Sequence, residues 1–440
     1  MKKARRVLIM GLGVHGGGLA AAKYFAAAGD NVTVTDLKPE SELGISIDEL
    51  KKFPNIKFVL GEHCEDDFID TDLIIRNPAV PKESKYLKLA KDHGVDIKMQ
   101  ESVFFELCLT KNIIGVTGTK GKTSTAYLIY EVLKANGLKV HLAGNMKIPV
   151  ISILPIIEKN DWVVLELSSW QCEALEDLKT SPRIAIITNI SEDHLNRYKS
   201  YEDYAMSKSS IFKYQDSDGV FITLKSGAFT DKYLKLAKGK IKLFDPKDPQ
   251  IVSNVELSKA KMKGIHNRAN ILAALNVSES LGLNLKKSLG VVLNFKGVPY
   301  RLEEIGKANE ILFVNDTTAT APDAAVAAIK TYLDQKPVLI VGGTDKNLDC
   351  SELAKLILKS KIDYIMLKGT GTDKLIQEGL DSSKVFDAFE PAVKRAYELA
   401  TAKQGIVLLS PGFASFGMFK HEFDRGDQFN EIFKKLCNSK

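Results

Sequence analysis

The sequence predicts an α/β protein of three domains: a Rossmann-like N-terminal domain (1–100), a central P-loop ATPase-type domain with a mainly parallel sheet (101–299) and a C-terminal Rossmann-like domain (300–440). Three observations lead there. Residues 6–36 read as an apolar strand, a glycine turn, an alanine-rich helix and a second strand. Residues 112–137 repeat the strand, glycine turn and amphipathic helix, and beyond residue 300 apolar strands again alternate with helices. Such alternation builds parallel sheets, because each crossover helix carries the chain back to the end of the sheet where the previous strand began. At 440 residues the chain exceeds what one core can organise.

In the first stretch, Gly11, Gly13 and Gly16 have the dinucleotide spacing, and Asp36 falls twenty positions after Gly16. A Rossmann unit places an acidic group there on a ribose or base edge. The fingerprint predicts a nucleotide-diphosphate ligand without separating NAD from a UDP-sugar. Strands near Lys57–Leu60 and Asp72–Arg76 and a helix around Lys85–His93 follow.

The central stretch runs IIGVTGTKGKTST into a helix. Gly118 and Gly121 let the backbone curl so that successive N–H groups face a polyphosphate, and the helix N-terminus adds positive potential. Lys122 then reaches the terminal phosphates, with the Thr123 hydroxyl placed for Mg²⁺. The usual loop spacing would put glycine at Val116, whereas glycine stands at 115 and 118. Strands at Trp162–Leu167, Ile184–Thr188 and Val220–Thr223 carry polar residues at their ends: Glu166, and His194 just beyond the second. Ligands of open parallel sheets bind beyond the carboxyl ends of strands, so Lys122, Thr123, Glu166 and His194 are expected on one Mg-nucleotide. Lys208 shares a helix side with Tyr204 and Ile211, facing inward, where a lysine is costly unless neutral or modified. Asn267, at the start of a later helix, either meets an adenine edge or caps the helix.

Composition excludes other classes. The five cysteines are scattered and odd in number, which gives neither a disulfide framework nor paired zinc spacing. A formal charge of +6 spread along the chain suits anionic small molecules rather than nucleic acid. No apolar run approaches the ~20 residues of a membrane helix, and the N-terminus runs into the glycine fingerprint, so a cytoplasmic protein is expected.

In the last stretch, strands are expected at Ile311–Val314, Pro337–Gly342, Tyr364–Leu367 and Ile406–Leu409. Thr320 and Asp323 have capping-box spacing around Pro322. VGGTDKN (341–347) and SPGFASFGMFKHEFDRGDQF (410–429) are loops suited to a carboxylate-bearing ligand or to plain turns.

Taken in order, GTKGKT, ELSSWQ, NISEDHLNRY, a lysine fourteen positions after the histidine, GIHNRAN, VPYRLE and SPGFASF resemble the Mur ligases over nearly the whole chain. Among them the resemblance is greatest to members that join D-glutamate to UDP-N-acetylmuramoyl-L-alanine. It implies an ATP-dependent amide-forming ligase with Mg²⁺ in two sites, acting on small molecules as a monomer, with no nucleic-acid or membrane partner. By position, Leu12, Gly13, Val14, Asp36, Asn145, Ser168 and Gln171 match contacts to the UDP-linked acceptor. Gly118, Thr119, Lys120, Gly121, Lys122, Thr123, Ser124, Asn267, Arg301 and Asp316 match the ATP site. Thr123, Glu166, His194 and Lys208 match the metal site, Lys208 as a carbamate, and Lys346, Ser415 and Phe423 match the amino-acid site. The chain departs from the pattern at Lys120, Asn196, Thr317-Thr318 and Glu422-Phe423. A ligase for L-glutamate or another amino acid fits the same motifs. An NAD-dependent oxidoreductase or a nucleotide-gated binding protein would leave part of them without work.

Overall fold

The computed structural model describes residues 4–12, 16–146, 148–191, 198–250, 255–262, 265–345 and 348–438. The chain divides into two compact units, Met1–Phe295 and Lys296–Lys440.

The first unit holds two sheets. Strands β1 (Arg6–Met10), β2 (Asn31–Asp36), β3 (Ile56–Leu60), β4 (Leu73–Arg76) and β5 (Asp96–Lys98) are all parallel, in the order β3-β2-β1-β4-β5. The apolar run Val7–Met10 is buried throughout, as a strand covered on both faces requires. Gly16, at φ 78°, turns the chain into the helix Gly17–Ala27. Gly18 lets that helix approach closely, since a Cβ there would collide with the Gly11 carbonyl and Leu12. Strand order reverses at β1, so the ligand crevice opens beyond the C-terminal ends of β1 and β4.

The second sheet comprises β6 (Ile113–Thr117), β7 (Val140–Gly144), β8 (Trp162–Glu166), β9 (Ile184–Ile187), β10 (Val220–Leu224) and β11 (Lys240–Phe244). All pairs are parallel, in the order β11-β10-β9-β6-β8-β7. Ile114, Val116, Val164 and Ile186 pack on one face with residues of the helices Lys122–Ala135 and Ile265–Ser280. Ile113, Val163, Leu165 and Ile187 face the opposite core, which includes Ala205, Ile211 and Phe212 of the helix Tyr201–Lys213. Gly115 explains the displaced glycine. A Cβ there would come within 2.6 Å of Pro182 and 3.1 Å of Ile211, so this glycine makes room for the turn before β9 and for the helix Tyr201–Lys213.

Polar contacts join the two sheets across the expected boundary at residue 100. Arg76, 3% exposed, pairs with Glu173 at 2.9 Å, and Lys82 with Asp177 at 2.8 Å.

The second unit contains β12 (Glu303–Ala308), β13 (Ile311–Asn315), β14 (Pro337–Gly342), β15 (Asp363–Leu367), β16 (Val385–Phe386) and β17 (Ile406–Leu409), ordered β12-β13-β17-β14-β15-β16. Only β12 runs antiparallel to its neighbour, β13, among the described strands. This hairpin was not expected from sequence: β12 is a polar edge strand, and its turn, Asn309-Glu310, holds two positive φ values (44° and 67°) without a glycine. The helix Pro322–Tyr332 begins with Pro322 in its first turn, as expected. Its cap is Ala321, without a side-chain cap bond, so the Thr320–Asp323 capping box does not form. No described helix is long and apolar enough to cross a membrane.

Candidate active site

The centre of the site is the turn between β6 and the helix Lys122–Ala135. Gly118 has φ 146° and Gly121, the cap, φ 83°. A Cβ on Gly118 would collide with the Thr188 hydroxyl, and one on Gly121 would come within 2.5 Å of Asn270 Oδ1. Both glycines are therefore required by φ and by space. The first intrahelical bond is Thr125 N–H to Gly121 O, 2.9 Å, so the preceding N–H groups of the helix end are directed out of it.

Residues after β9 hold this loop. Asn189 accepts the Thr119 N–H at its carbonyl (2.8 Å) and the Lys120 N–H at Oδ1 (3.0 Å), and its Nδ2 donates to Lys120 O (2.8 Å). The Thr188 hydroxyl also donates to Lys120 O, at 2.6 Å. Thr119 Oγ1 receives the Ser191 N–H at 3.0 Å, and Asn270 Oδ1 accepts the Thr125 hydroxyl at 3.1 Å. Lys122 Nζ curls over the turn and donates to the carbonyls of Gly118 and Thr119, each at 2.9 Å. Thr123 and Ser124 are half-buried in the first helical turn, and Lys120 is exposed. Asn267 lies one turn before Asn270, whose Nδ2 donates to it at 3.4 Å.

Glu166 ends β8 and pairs in register with Val116 on β6, so it opens beside the phosphate loop. It is 2% exposed. Asn145 Nδ2 donates to Oε1 at 3.2 Å, while Oε2 is buried without a hydrogen-bond partner. A buried carboxylate oxygen left unpartnered is costly, and a hard cation with oxygen ligands would satisfy it. The residues present thus fit Mg²⁺. Lys208, 1% exposed, donates through Nζ to Thr117 Oγ1 at 3.3 Å and lies 4.7 Å from the Tyr204 ring centroid. Burial pushes the nearby Cys172 thiol up to about 11, with the Lys208 charge opposing.

At the first sheet, Asp36 is oriented by two backbone donors, Leu12 N to Oδ2 (2.9 Å) and Lys38 N to Oδ1 (3.0 Å). Ser168 and Gln171 form a reciprocal capping box at the helix Ser169–Leu178, with bonds of 3.2 and 2.9 Å. Gln171 Nε2 also donates to Glu101 Oε1 at 2.8 Å. Glu101 is fully buried, its Oε2 has no partner, and burial pushes its carboxyl up to about 7 despite Gln171 and the Arg76 charge. Gly13, Val14, His194, Asn196 and Lys346 lie outside the described residues.

In the second unit, Asp316 follows β13 and is 5% exposed. It accepts the Ser410 hydroxyl at 2.7 Å and the Leu302 N–H at 3.1 Å. Burial nonetheless raises its carboxyl to about 6, against those bonds and the Arg301 and Arg425 charges. Arg301 is exposed between Tyr300 (φ 63°) and Leu302 (φ 45°), a strained turn for residues bearing a Cβ. Ser415 is 3% exposed and its hydroxyl has no partner. Phe423 meets the Tyr300 ring edge-on at 5.6 Å.

Within the first unit the fold thus gathers the phosphate loop, Glu166, Asn145 and Lys208; within the second it gathers Arg301, Asp316 and the loop that carries Ser415. Sequence reading missed Thr188, Asn189, Asn270, Glu101, Ser410 and Arg425. Thr188, Asn189 and Ser410 had a usable signal, since each follows a buried strand at the end where ligands bind.

Comparison with known proteins gives three family matches: the MurD-like N-terminal domain of Mur ligases over residues 5–98, the Mur ligase middle domain over 116–278, and the glutamate ligase domain of Mur ligases over 300–413. The chain is 39% identical to a UDP-N-acetylmuramoylalanine–D-glutamate ligase of Roseiflexus sp. (strain RS-1), over 97% of this chain and 98% of that protein. It is 38% identical to the ligase of the same description from Borreliella afzelii (strain PKo), over 98% and 97%. Among solved structures, a UDP-N-acetylmuramate-alanine ligase from Thermotoga maritima shares the fold at a TM-score of 0.54 and 21% identity, over 98% of this chain and 99% of that one.

Proposed function

The chain belongs to the Mur ligase family, and from that premise we propose that it joins D-glutamate to UDP-N-acetylmuramoyl-L-alanine with ATP, in peptidoglycan precursor synthesis. The observation that carries the reading is a cradle of main-chain amides at a helix N-terminus, with the unpartnered Glu166 oxygen ending the adjacent strand.

A carboxylate at neutral pH is a poor electrophile. Its oxygen attacks the γ-phosphorus of ATP, ADP leaves, and an acyl phosphate forms. The D-glutamate amine then adds to that carbonyl, and collapse of the tetrahedral intermediate expels phosphate and leaves the amide. The main-chain N–H groups of Gly121 to Ser124 at the helix end hold the phosphates, those of Thr119 and Lys120 being taken by Asn189, and the Lys122 ammonium exchanges two carbonyl partners for the terminal phosphate oxygens. Mg²⁺, held by Thr123, Glu166, His194 and a carbamylated Lys208 across two sites, would neutralise charge on the transferring phosphoryl group. Burial of Lys208 supports the carbamate: a neutral amine adds to CO₂ and loses a proton, so a cation becomes an anion with two oxygens. Asn145 holds Glu166 in place, and Asn189 and Thr188 hold the loop.

Three jobs fall to three domains, 1–100 for the UDP end of the acceptor, 101–299 for MgATP and 300–440 for the amino acid. In the first, Leu12, Gly13, Val14 and Asp36 take the UDP, with Asn145, Ser168 and Gln171 supporting the acceptor. Within the first unit Asn267 is a nucleotide contact, and within the second the family resemblance gives Arg301 and Asp316 a nucleotide role and Lys346, Ser415 and Phe423 the amino-acid site. Aligning three substrates in this way contributes up to about 7–11 kcal/mol in favourable systems. The protein acts as a cytoplasmic monomer without nucleic-acid or membrane partners.

Phosphate release measured with MgATP, UDP-N-acetylmuramoyl-L-alanine and a panel of D- and L-amino acids tests this reading. Release confined to D-glutamate supports it; release with another amino acid moves the assignment within the family, and none at all removes it.

A further inference from the structure

Glu101 is fully buried, at 0% exposure, in the first turn of the helix Gln100–Leu107. That helix follows β5 after the single residue Met99, and so carries the chain from the first sheet to the second. Arg76 brings a positive charge nearby, but its guanidinium bonds to Glu173, Met99 and the Val80 carbonyl. The partner of Glu101 is neutral: Gln171 Nε2 donates to Oε1 at 2.8 Å, and Oε2 has no hydrogen-bond partner.

Packing alone would favour an apolar side chain there, since a buried carboxyl with one oxygen unsatisfied costs stability. A use that offsets this cost lies in what Gln171 does next. Its Oε1 accepts the Ser168 N–H at 2.9 Å, and its own backbone N–H donates to the Ser168 hydroxyl oxygen at 3.2 Å. The Gln171 carboxamide is thus engaged at both ends, which makes Gln171 a link between Glu101 and Ser168. Ser168 is half-buried, two residues beyond Glu166 at the end of β8, where ligands of a parallel sheet bind. Among the described residues its hydroxyl accepts a bond and donates none.

The neighbouring Gln100 reaches the first sheet. Its Nε2 would lie 2.8 Å from a Cβ on Gly17, the first residue of the helix after the glycine turn assigned to UDP. Residues 100 and 101 therefore meet the start of the UDP helix and, through Gln171, the Ser168 turn beside Glu166.

We propose that Glu101 is a positioning residue for the UDP-linked acceptor: by accepting from Gln171 it fixes the turn at Ser168, whose hydroxyl meets the reacting end of the acceptor beside Glu166. This rests on the ligase reading above and deepens it. Glu101 touches no substrate itself. The Gln100–Glu101 segment ties the Ser168 turn to the sheet that holds the UDP, so one stretch of chain sets both ends of the acceptor.

Phosphate release by the full chain is measured for wild type, Glu101→Gln, Glu101→Leu, Gln171→Leu and the double variant Glu101→Leu/Gln171→Leu, with KM determined separately for ATP, the acceptor and D-glutamate. Glutamine still accepts from Gln171 Nε2, so Glu101→Gln should keep the acceptor KM within about twofold of wild type. Leucine fills the space without accepting, and its acceptor KM should rise about tenfold or more, with the ATP KM within about twofold. Because Glu101 acts through Gln171, the double variant should be no worse than Gln171→Leu alone, whereas independent effects would multiply. An acceptor KM in Glu101→Leu within about twofold of wild type overturns the proposal, as does an equal rise of all three KM values. So does a Glu101→Gln as impaired as Glu101→Leu, or a double variant whose loss is the product of the single losses. If Glu101→Leu does not fold, Glu101→Asp decides: its carboxyl is one methylene too short to reach Gln171, and an unchanged acceptor KM overturns the proposal. Wild type that releases no phosphate with D-glutamate refutes the ligase reading instead, which separates the two failures.

Discussion

Glu101→Gln should stabilise the protein at alkaline pH and leave it nearly unchanged in acid. Glu101 is fully buried beneath Gln171, with one carboxyl oxygen bonded and the other unpartnered, and burial lifts its pKa from 4.5 to about 7. Between those values the folded protein keeps a proton that the unfolded chain has released. The contribution of Glu101 to stability is therefore greatest below about pH 4.5, declines as the pH climbs towards 7, and levels off above it. The shift of about 2.5 units, at 1.36 kcal/mol per unit, amounts to about 3 kcal/mol lost by pH 8. Glutamine has the shape of the neutral carboxyl, keeps the acceptor for Gln171 Nε2 and has no proton to lose. At pH 8 the variant should recover most of those ~3 kcal/mol, which in a unit of this size raises Tm by about 5 °C. Asp316 has a shift of the same sign, but it is common to both proteins and cancels in the difference. Calorimetric scans of wild type and variant at pH 5 and pH 8 are the measurement. If the variant is equally destabilised at both pH values, Glu101 is ionised in the fold and the reasoning fails.

Gly118→Ala adds a Cβ that collides with the Thr188 hydroxyl at a φ of 146°, so the loop must distort; ATP affinity, read by calorimetric titration, should fall at least about tenfold while far-ultraviolet circular dichroism stays the same. Lys122→Ala should abolish phosphate release yet leave binding of the UDP-linked acceptor measurable, and wild-type turnover in that variant would contradict the assigned role. Lys208→Ala should be inactive and partly rescued by millimolar formate or acetate, which replace the carbamate oxygens; full activity without rescue removes the modification.

Much of the fold could be read from the chain because the anticipated strands were short apolar runs ended by glycine or a polar residue, as at Val7–Met10, Pro337–Gly342 and Ile406–Leu409, whereas short or polar edge strands such as β5 and β11 were not. The antiparallel strand β12 escaped because an edge strand needs no apolar alternation and its Asn-Glu turn lacks the usual glycine. The phosphate loop was legible for a local reason: a strand, two glycines and a helix start are consecutive, and the helix end alone aims the amides after Gly121, while Asn189 takes those of Thr119 and Lys120. Lys208 was legible too, since helical periodicity alone turned it inward with Tyr204 and Ile211.

What tertiary structure alone decided concerns groups whose character comes from distant neighbours. Asn270 reaches the phosphate-loop helix from 145 residues away, and Glu101 meets Gln171 across 70. A glutamate is acidic or neutral, and an arginine paired or stranded, according to which segments exclude water from it and which polar atoms they bring. The order of residues states that Glu101 and Arg425 can ionise. Only packing removes the solvent around them, leaving one Glu101 carboxyl oxygen without a donor and giving the Arg425 guanidinium a hydroxyl and two carbonyls as acceptors, with the Asp316 charge farther off.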